Sequence, residues 1–496
     1  MRVAVIGGGV GGLCVAVRLA AAGREVTVFE RSAVVGGKLA QHVEDGFTFD
    51  VGPSLLTLPG LYDEVFRLAG SSLEAEVEVI RLDPQVVHRW PDGSRLAIPD
   101  PVVERMGVGG SATAAAVEEF APGAGREWDE FASRAATIWD VAERTFFAGP
   151  VPSVRSLAGR ASSPLDLFRF DGTRTLDRAA RRTFDDRRLQ QLVGRYATYS
   201  GSSPLRAPAT LACIAHVEQT FGCWHVVGGL GRLAEALLRS ATHLGVRIRT
   251  GTDVARIAVM DGVAVGVELA DGGVEPADVV ISDVDAAHLY ADLLPGTTLP
   301  RRVAKAPRST SVFSVCAAVN GTTEGIAHHQ VFHAADHRRE FRDLAAGRIP
   351  RDPSIHACVA SVTDPSTAPD DAENWVLTVN VPPAIGIDRA SATAMVLNRL
   401  AERGVDLRER ISFTRTLVPA DIDARHRSPG GSIYGTSSDG RRAAFTRPGN
   451  IGPVDGLFLV GGSAHPGGGL PLVAIGARIV AELVGERPAG RSGRAG

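Results

Sequence analysis

Lysine is almost missing from this chain of 496 residues. Only Lys38 and Lys305 are lysine, and the rest of the 53 basic residues are arginine. A lysine nucleophile or a lysine Schiff base therefore has just these two candidates in the whole sequence.

Cysteine is scarce as well. The chain has five cysteines, an odd number, and none of them forms a CxxC pair. This pattern excludes a disulfide framework and is not that of a zinc site. It fits a reducing compartment, so we expect a cytoplasmic protein.

An excess of charge of one sign and long apolar runs are also lacking. The net charge is −3 and the pI is about 6.5, so no nucleic-acid partner is expected. Outside residues 3–22, no apolar stretch reaches the roughly 18 residues of a membrane-spanning helix. Five glycines interrupt residues 3–22, which argues against a secretory signal. Peripheral contact with a membrane stays open.

The most informative pattern is a glycine motif near the N-terminus. A β-branched, strand-like run at residues 2–6 leads into Gly7, Gly9 and Gly12, and a helical run follows. The GxGxxG spacing allows a tight turn and a close approach of the backbone to a pyrophosphate at the helix N-terminus. Glu30 ends the next strand, 18 residues after Gly12, where a carboxylate can bind a ribose. These elements predict a βαβ dinucleotide-binding unit.

Two further glycine-rich segments favour FAD over a nicotinamide cofactor. Residues 36–39 (Gly-Gly-Lys-Leu) follow the second strand after a short loop. Residues 461–469 lie between a late strand and a final helix predicted from residue 472 to residue 484. A long cofactor bound across the domain can use backbone donors from both loops, whereas a nicotinamide enzyme would not need two such loops at opposite ends of the chain.

Several segments resemble a known family. Residues 5–39 and 47–57 are similar to the opening of the flavin amine oxidase and phytoene desaturase superfamily, and residues 456–473 (GLFLVGGSAHPGGGLPLV) resemble the C-terminal flavin motif of bacterial carotenoid desaturases. Residues 194–229 and 430–450 look most like the branch of acyclic 1-hydroxycarotenoid 3,4-desaturases. In that branch the residue that follows this serine pair is often histidine, whereas this chain has Asp439 there.

The resemblance implies a set of cofactor contacts. Gly7, Gly9 and Gly12 would hold the FAD pyrophosphate, Glu30 would hold the adenosine ribose, and Arg31 is a further cofactor-binding residue. Gly37 and Lys38 would lie along the cofactor, and Val254 would lie at the adenine. Gly462, Ser463 and a turn of Leu470, Pro471 and Leu472 would lie beside the flavin.

The sequence offers three candidates for catalytic side chains. His465 lies in the late glycine loop and could face the flavin. Glu218 could place a carboxyl group in the substrate cavity, and Tyr434 could orient a substrate hydroxyl. For each of them the alternative is a structural role in which its polar group is satisfied by the protein.

No metal site is expected. His216 and Glu218 are two positions apart and do not share a helix face. His328, His329 and His333 form a histidine-rich stretch, but no further ligand cluster accompanies it in the sequence.

We expect an α/β fold in which a Rossmann-like FAD-binding domain holds an inserted α+β substrate domain. The discontinuous FAD-binding domain would comprise residues 1–75, 225–290 and 450–486. The predicted ranges for the rest are residues 76–224 and 291–449 for the substrate domain, with a helical lid or membrane-contact region near residues 100–190, and residues 487–496 for a flexible tail. Apolar residues at helical spacing between 127 and 147 predict a core-facing stripe.

The family implies an FAD-dependent desaturase of a hydrophobic polyene, most specifically C-3,4 desaturation of an acyclic hydroxycarotenoid by hydride transfer to the flavin. Oxygen or a quinone would accept the electrons, and the protein would lie peripherally on the inner face of the cell membrane. One alternative is a related oxidase, oxygenase, desaturase or isomerase that acts on a non-carotenoid polyene, a terpenoid or an amine. Another is a flavin-binding protein without catalysis.

Overall fold

The computed structural model describes residues 1–101, 111–151, 171–294, 296–297, 304–440, 443–445 and 447–485. The strands, numbered along the chain, are β1 Arg2–Ile6, β2 Glu25–Phe29, β3 Gln41–Glu44, β4 Phe47–Asp50, β5 Val79–Arg81, β6 Val86–Arg89, β7 Arg95–Ile98, β8 Trp224–Val226, β9 Arg247–Arg249, β10 Val254–Met260, β11 Val263–Leu269, β12 Val274–Pro276, β13 Val279–Ser282, β14 Ser311–Asn320, β15 His329–Phe332, β16 Ile355–Val359, β17 Ala372–Val381, β18 Ile411–Leu417 and β19 Leu457–Leu459.

The α-helices among these residues, numbered in the same way, are α1 Val10–Ala21, α2 Gly60–Leu68, α3 Leu73–Glu76, α4 Ala112–Phe120, α5 Ala124–Thr145, α6 Leu176–Thr183, α7 Arg187–Arg195, α8 Cys213–Phe221, α9 Gly231–His243, α10 Ala286–His288, α11 His337–Ala345, α12 Arg389–Glu402, α13 Pro419–His426 and α14 Leu470–Val484. None of the helices in the described part of the chain combines the length and the apolar character needed to cross a membrane.

A five-stranded parallel sheet has the strand order β19-β13-β1-β2-β9. Its strands come from both ends of the chain and from the middle. Helix α1 connects β1 to β2 and packs with α9 and α14 into one hydrophobic core. The carboxyl ends of β1, β13 and β19 therefore lie side by side at one edge of this sheet, which is where ligands bind in open α/β sheets.

A second, seven-stranded sheet has the order β18-β14-β17-β16-β15-β6-β7. One face of this sheet packs against helix α12 around Trp375 and Leu377. The opposite face carries Cys316 and Cys358 and contacts Phe49 on β4. Because β4 leads directly into residues 51–55, this second face is close to the loops of the parallel sheet.

Helices α4 to α8 build a separate hydrophobic core. On α5 the side chains of Trp128, Phe131, Ala135 and Ile138 are buried, as the helical spacing predicted for a core-facing stripe. Residues 102–110 and 152–170 of the predicted helical region lie outside the described residues, as does the predicted tail at residues 487–496. The lid or membrane-contact role and the domain boundaries stay predictions.

Candidate functional site

The N-terminal glycine motif forms the turn between β1 and α1. Gly7 has a φ of +99°, a conformation that L side chains rarely adopt. A Cβ on Gly12 would overlap the carbonyl oxygen of Gly7, so the third glycine is required by the contact of the helix with the turn. The first turn of α1 therefore leaves its backbone donors at the carboxyl edge of the sheet.

Asp283 lies at the centre of this edge, and no motif in the sequence points to it. It directly follows β13, and its carboxylate is placed between the two glycine loops. A Cβ on Gly9 would lie 2.5 Å from Asp283 Oδ2, one on Gly11 would lie 2.5 Å from Oδ1, and one on Gly461 would overlap Oδ1 as well. Burial raises the pKa of Asp283 to about 7, and the backbone amide of Gly12 opposes that rise.

Glu30 and Arg31 are held in different ways. The Glu30 carboxylate accepts hydrogen bonds from the backbone N–H of Gly8 at 2.8 Å and of Ser32 at 2.7 Å. The Arg31 guanidinium donates to the carbonyl oxygen of Ala424 at 2.7 Å. The Arg31 side chain also borders an open cavity of about 890 Å³.

Val254, at the start of β10, lines the same cavity and is itself almost completely buried. Asp253 and Arg427 line the cavity as well, and the Arg427 guanidinium donates to Asp253 Oδ1 at 2.9 Å. A volume of this size is that of a small-molecule site. Arg31 and Val254 are thus brought together at one end of the candidate site.

The loop at residues 36–39 packs directly on the N-terminal motif. The backbone N–H of Gly36 donates to the Gly8 carbonyl at 2.8 Å, and a Cβ on Gly37 would lie 3.2 Å from the Cα of Gly9. Lys38 extends away from the motif, and its ammonium donates to the carbonyl oxygen of Ile433 at 2.7 Å. Burial lowers the pKa of Lys38.

The C-terminal loop reaches the same edge. Ser463 Oγ accepts a hydrogen bond from the backbone N–H of Ala286 at 2.9 Å. Gly462 is tied through its carbonyl to Arg447, which donates at 2.8 Å to it and also at 2.8 Å to the carbonyl of Tyr434. Arg447, like Asp283, was not selected from the sequence. Arg447 belongs to no sequence motif, so no pattern indicated that it would donate to the carbonyls of Tyr434 and Gly462.

One prediction about this loop is wrong. Leu470, Pro471 and Leu472 do not form a turn before the last helix but are its first residues, since α14 begins at Leu470. Proline is well tolerated there because the first helical N–H groups have no partner within the helix. The carbonyl of Leu470 accepts a hydrogen bond from the buried Tyr62 hydroxyl at 2.9 Å.

His465 is anchored by the helical region. Its Nε2 donates to the carbonyl oxygens of Phe146 at 2.9 Å and Gly149 at 3.2 Å, and the side chain is 2% exposed. Since both partners are acceptors, this nitrogen carries the hydrogen. The arrangement is that of a side chain joining the glycine loop to the end of α5. A catalytic role for His465 stays a prediction.

Tyr434 and Glu218 share one charged neighbour, Arg195. The Tyr434 ring packs against Gly201 and Gly468, and burial raises the pKa of its hydroxyl to about 12 while Arg195 opposes the rise. Glu218 lies on α8 and is 5% exposed. Burial raises its pKa to about 7, against the effects of the Tyr199 hydroxyl and the Arg195 charge. Catalytic roles for Tyr434 and Glu218 stay predictions.

The interior around Arg195 is polar, because tyrosine and histidine side chains lie within range of its charge. Tyr199, four positions after Arg195, retains 36% of its accessible surface, yet burial dominates the pKa of its hydroxyl and raises it well above the usual range. Arg195 also lowers the pKa of His329 and His88, although burial is the main cause in both cases.

The three histidines considered from the sequence do not form one group. His333 Nε2 lies 2.9 Å from His88 Nδ1, so these two rings are partners. His328 and His329 lie instead against Cys358. His216 donates to or accepts from Thr220 Oγ1 at 3.1 Å on its own helix. At the branch position, Asp439 accepts a hydrogen bond from the backbone N–H of Ser203 at 3.0 Å.

Comparison with known proteins agrees with this architecture. The flavin containing amine oxidoreductase family matches residues 10–471. Hydroxyneurosporene desaturase of Cereibacter sphaeroides is 36% identical over 491 residues, which cover 97% of each chain. 4,4'-Diapolycopene oxygenase of Methylomonas sp. is 32% identical over 496 residues, covering 97% of this chain and 98% of that protein.

Solved structures show the same fold. An oxidoreductase from Methanosarcina mazei superposes with a TM-score of 0.62 at 20% identity, covering 97% of this chain and 100% of the other. Putrescine oxidase bound to putrescine gives a TM-score of 0.64 at 16% identity, covering 97% and 98%. The family match spans nearly the whole length, and its ends coincide with the two glycine loops that meet at Asp283. The chain belongs to the flavin containing amine oxidoreductase family.

Proposed function

We propose that this flavin-dependent oxidoreductase uses FAD to desaturate a long hydrophobic polyene, and that its substrate is an acyclic hydroxycarotenoid desaturated at C-3,4. The observation that carries the proposal is the meeting of three backbone-exposing loops at one sheet edge, in a chain similar over almost its full length to a protein named hydroxyneurosporene desaturase.

The residues present fit FAD. Gly7, Gly9 and Gly12 leave the N-terminus of α1 open to a pyrophosphate, since a side chain at any of them is strained or overlaps a neighbour. Glu30 is oriented by two backbone N–H groups for a ribose. The cavity bordered by Arg31 and Val254 has room for an adenine and its sugar.

The remaining contacts extend toward the flavin end. Gly37 and Lys38 would lie along the cofactor, and Gly462, Ser463 and the first residues of α14 would border its reactive ring. When bound, FAD supplies an acceptor for the hydride that leaves the substrate. Arg447 would keep the Tyr434 segment and the Gly462 loop at a constant separation, because it donates to carbonyls of both.

The protein must also remove a proton. In a conjugated polyene the cation left by hydride loss is allylic and delocalised, so the neighbouring proton is acidic and a weak base suffices. Glu218 is the best candidate for that base because its pKa of about 7 leaves it partly ionised at neutral pH. The other requirements are alignment of the C–H bond and exclusion of water.

An amine substrate is less well served by this site. Amine oxidases of this superfamily often place a lysine near the flavin to hold a water. Here Lys305 is exposed, and the ammonium of Lys38 is held by the Ile433 carbonyl. A second candidate function is oxygenation of the polyene end, which the similarity to 4,4'-diapolycopene oxygenase favours.

We further propose that oxygen or a quinone reoxidises the flavin and that the protein lies peripherally on the inner face of the cell membrane, where a polyene is dissolved. No nucleic acid takes part. These proposals follow from the chemistry of the substrate class.

The test is expression in cells that accumulate defined acyclic carotenoids, followed by chromatography, absorption spectra and mass spectrometry of the extract. A red shift with loss of two hydrogens in hydroxylated substrates is the expected result, and gain of oxygen would point to the second candidate. Gly9→Ala, which should not retain FAD, is the inactive control. An FAD-retaining protein that changes no carotenoid would contradict the proposal.

A further inference from the structure

Two buried histidines have rings without any hydrogen-bond partner. In the described part of the chain, both ring nitrogens of His328 and both of His329 are sealed from solvent and unpartnered. The two side chains are 3% and 2% exposed. A buried polar group left unsatisfied costs about 1–3 kcal/mol, so four such nitrogens call for an explanation.

The other interior histidines near them are satisfied. His225 Nε2 lies 3.0 Å from Asp364 Oδ2, and its ring centroid is 4.7 Å from that of His328. His333 and His88 pair with each other. Among the histidines that the structure describes, only His328 and His329 have buried ring nitrogens without a partner.

A cysteine completes the cluster. His329 on β15 is the direct cross-strand partner of Cys358 on β16, so their side chains lie on the same face of the sheet. His328 precedes the strand, and its carbonyl accepts a hydrogen bond from the backbone N–H of Val359 at 2.8 Å. One ligand atom from each of His328, His329 and Cys358 lies within 4.8 Å of the other two.

Water or a hydroxyl group does not fit between these atoms, because each nitrogen is closed to a water-sized group. Ligand atoms within 4.8 Å of one another can converge on one cation, since ligand bonds to Zn²⁺ are about 2.0–2.3 Å long. A neutral imidazole ligates through its unprotonated nitrogen, and neither ring has a hydrogen-bond partner that competes for that nitrogen. Two imidazoles and a thiolate select a soft or borderline cation.

We propose that His328, His329 and Cys358 bind one Zn²⁺ or Cu⁺ ion, which joins β15 to β16. The proposal is independent of the carotenoid function. The three ligand residues are buried, so the ion would join the two strands away from bulk solvent. The Ser54 hydroxyl, which hydrogen-bonds the Cys358 thiol, would remain as a donor to the thiolate.

Binding must release one proton. Burial raises the pKa of Cys358, so its thiol is protonated before the ion enters, whereas the histidines carry no proton to lose. The titratable groups that face the cluster from neighbouring elements are Asp50, Arg195, His225 and His356.

The experiment uses the full-length, FAD-loaded protein, purified without a metal-affinity tag. Metal content is measured after dialysis against Zn²⁺ alone or, under a reductant and without oxygen, against Cu⁺ alone, and calorimetry in two buffers counts the released protons. We expect one ion per chain, a higher melting temperature with that ion, and, after loading with Co²⁺, a thiolate-to-cobalt charge-transfer band. The arm with the tighter binding identifies the cation.

Cys358→Ser should weaken binding by about 100-fold or more, since loss of a group that merely orients a ligand already weakens metal binding by about 10- to 100-fold. The matched control is Cys316→Ser, because Cys316 is buried on the same sheet face and is not part of the cluster. His329→Asn is the second variant, should Cys358→Ser fold poorly. Absence of stoichiometric metal in both arms, or equal binding by wild type and Cys358→Ser, would overturn the proposal.

Discussion

The carboxylate of Asp283 occupies the space that a side chain on Gly9 would need, with 2.5 Å between Asp283 Oδ2 and the position of such a Cβ. Gly9 lies in the loop after β1, and Asp283 directly follows β13. The contact therefore joins the N-terminal loop to the middle of the sheet. This relationship explains why the second glycine of the motif is required even before a cofactor binds.

The first prediction concerns Gly9. Gly9→Ala adds a Cβ that meets the Asp283 carboxylate and blocks the close approach of the backbone to a pyrophosphate, so we expect the protein to lose bound FAD during gel filtration. The measurement is flavin absorbance per chain in the protein peak. Gly60→Ala is the control, because nothing lies within 4 Å of a Cβ there. Full flavin retention by Gly9→Ala would contradict the structure.

The second prediction concerns pH. Because burial raises the pKa of Asp283 to about 7, the neutral carboxyl predominates below that pH and the carboxylate above it. The carboxylate repels a pyrophosphate, so FAD affinity should fall as pH rises from 6 to 8. The raised pKa of Asp283 also makes the free energy of unfolding depend on pH. Its contribution to stability is fully present below the pKa of about 4 that the group has in the unfolded chain, and it is lost as the pH rises through about 7.

Asp283→Asn should abolish that pH dependence while retaining the hydrogen bonds of an amide oxygen. Fluorescence titration of the apoprotein with FAD at several pH values is the measurement. An unchanged pH dependence of FAD binding in Asp283→Asn would contradict this prediction.

The third prediction concerns Glu218. If its carboxylate takes the substrate proton, the desaturation rate should rise with pH and level off above about 7, the pKa that burial produces. Glu218→Gln should reduce the rate by about 100-fold or more and remove this rise. The exposed Glu235→Gln, on α9, is the control. A rate loss that leaves the shape of the pH profile unchanged would assign Glu218 a structural role.

The fourth prediction separates two roles of His465. Its Nε2 donates to two backbone carbonyls at the end of α5, so His465→Leu should lower stability by about 1–3 kcal/mol by leaving acceptors unsatisfied. His465→Gln can still donate and should recover part of that loss. Thermal unfolding and turnover are measured together. A large loss of turnover in His465→Gln at unchanged stability would instead favour catalysis.

Local sequence predicted the N-terminal unit well. Strands near residues 2–6 and 25–30, and the helix between them, are found as β1, β2 and α1, because β-branched runs and glycine turns act over a few residues. The start of α14 was misplaced by two residues, since a proline reads as a turn signal although it is also suited to the first turn of a helix. Contacts between distant segments carry no such local signal.

The amino-acid sequence by itself therefore determined the glycine loops, the strands that carry them and the family to which the chain belongs. Only the tertiary structure decided that Asp283 sits between those loops, that the charge of Arg195 acts on the pKa of both Glu218 and Tyr434, and that Cys358 rather than His333 joins His328 and His329. The physical reason is that a motif reflects the backbone conformation of one segment. These groups instead meet through sheet register and helix packing, either across more than a hundred residues of chain or between neighbouring strands.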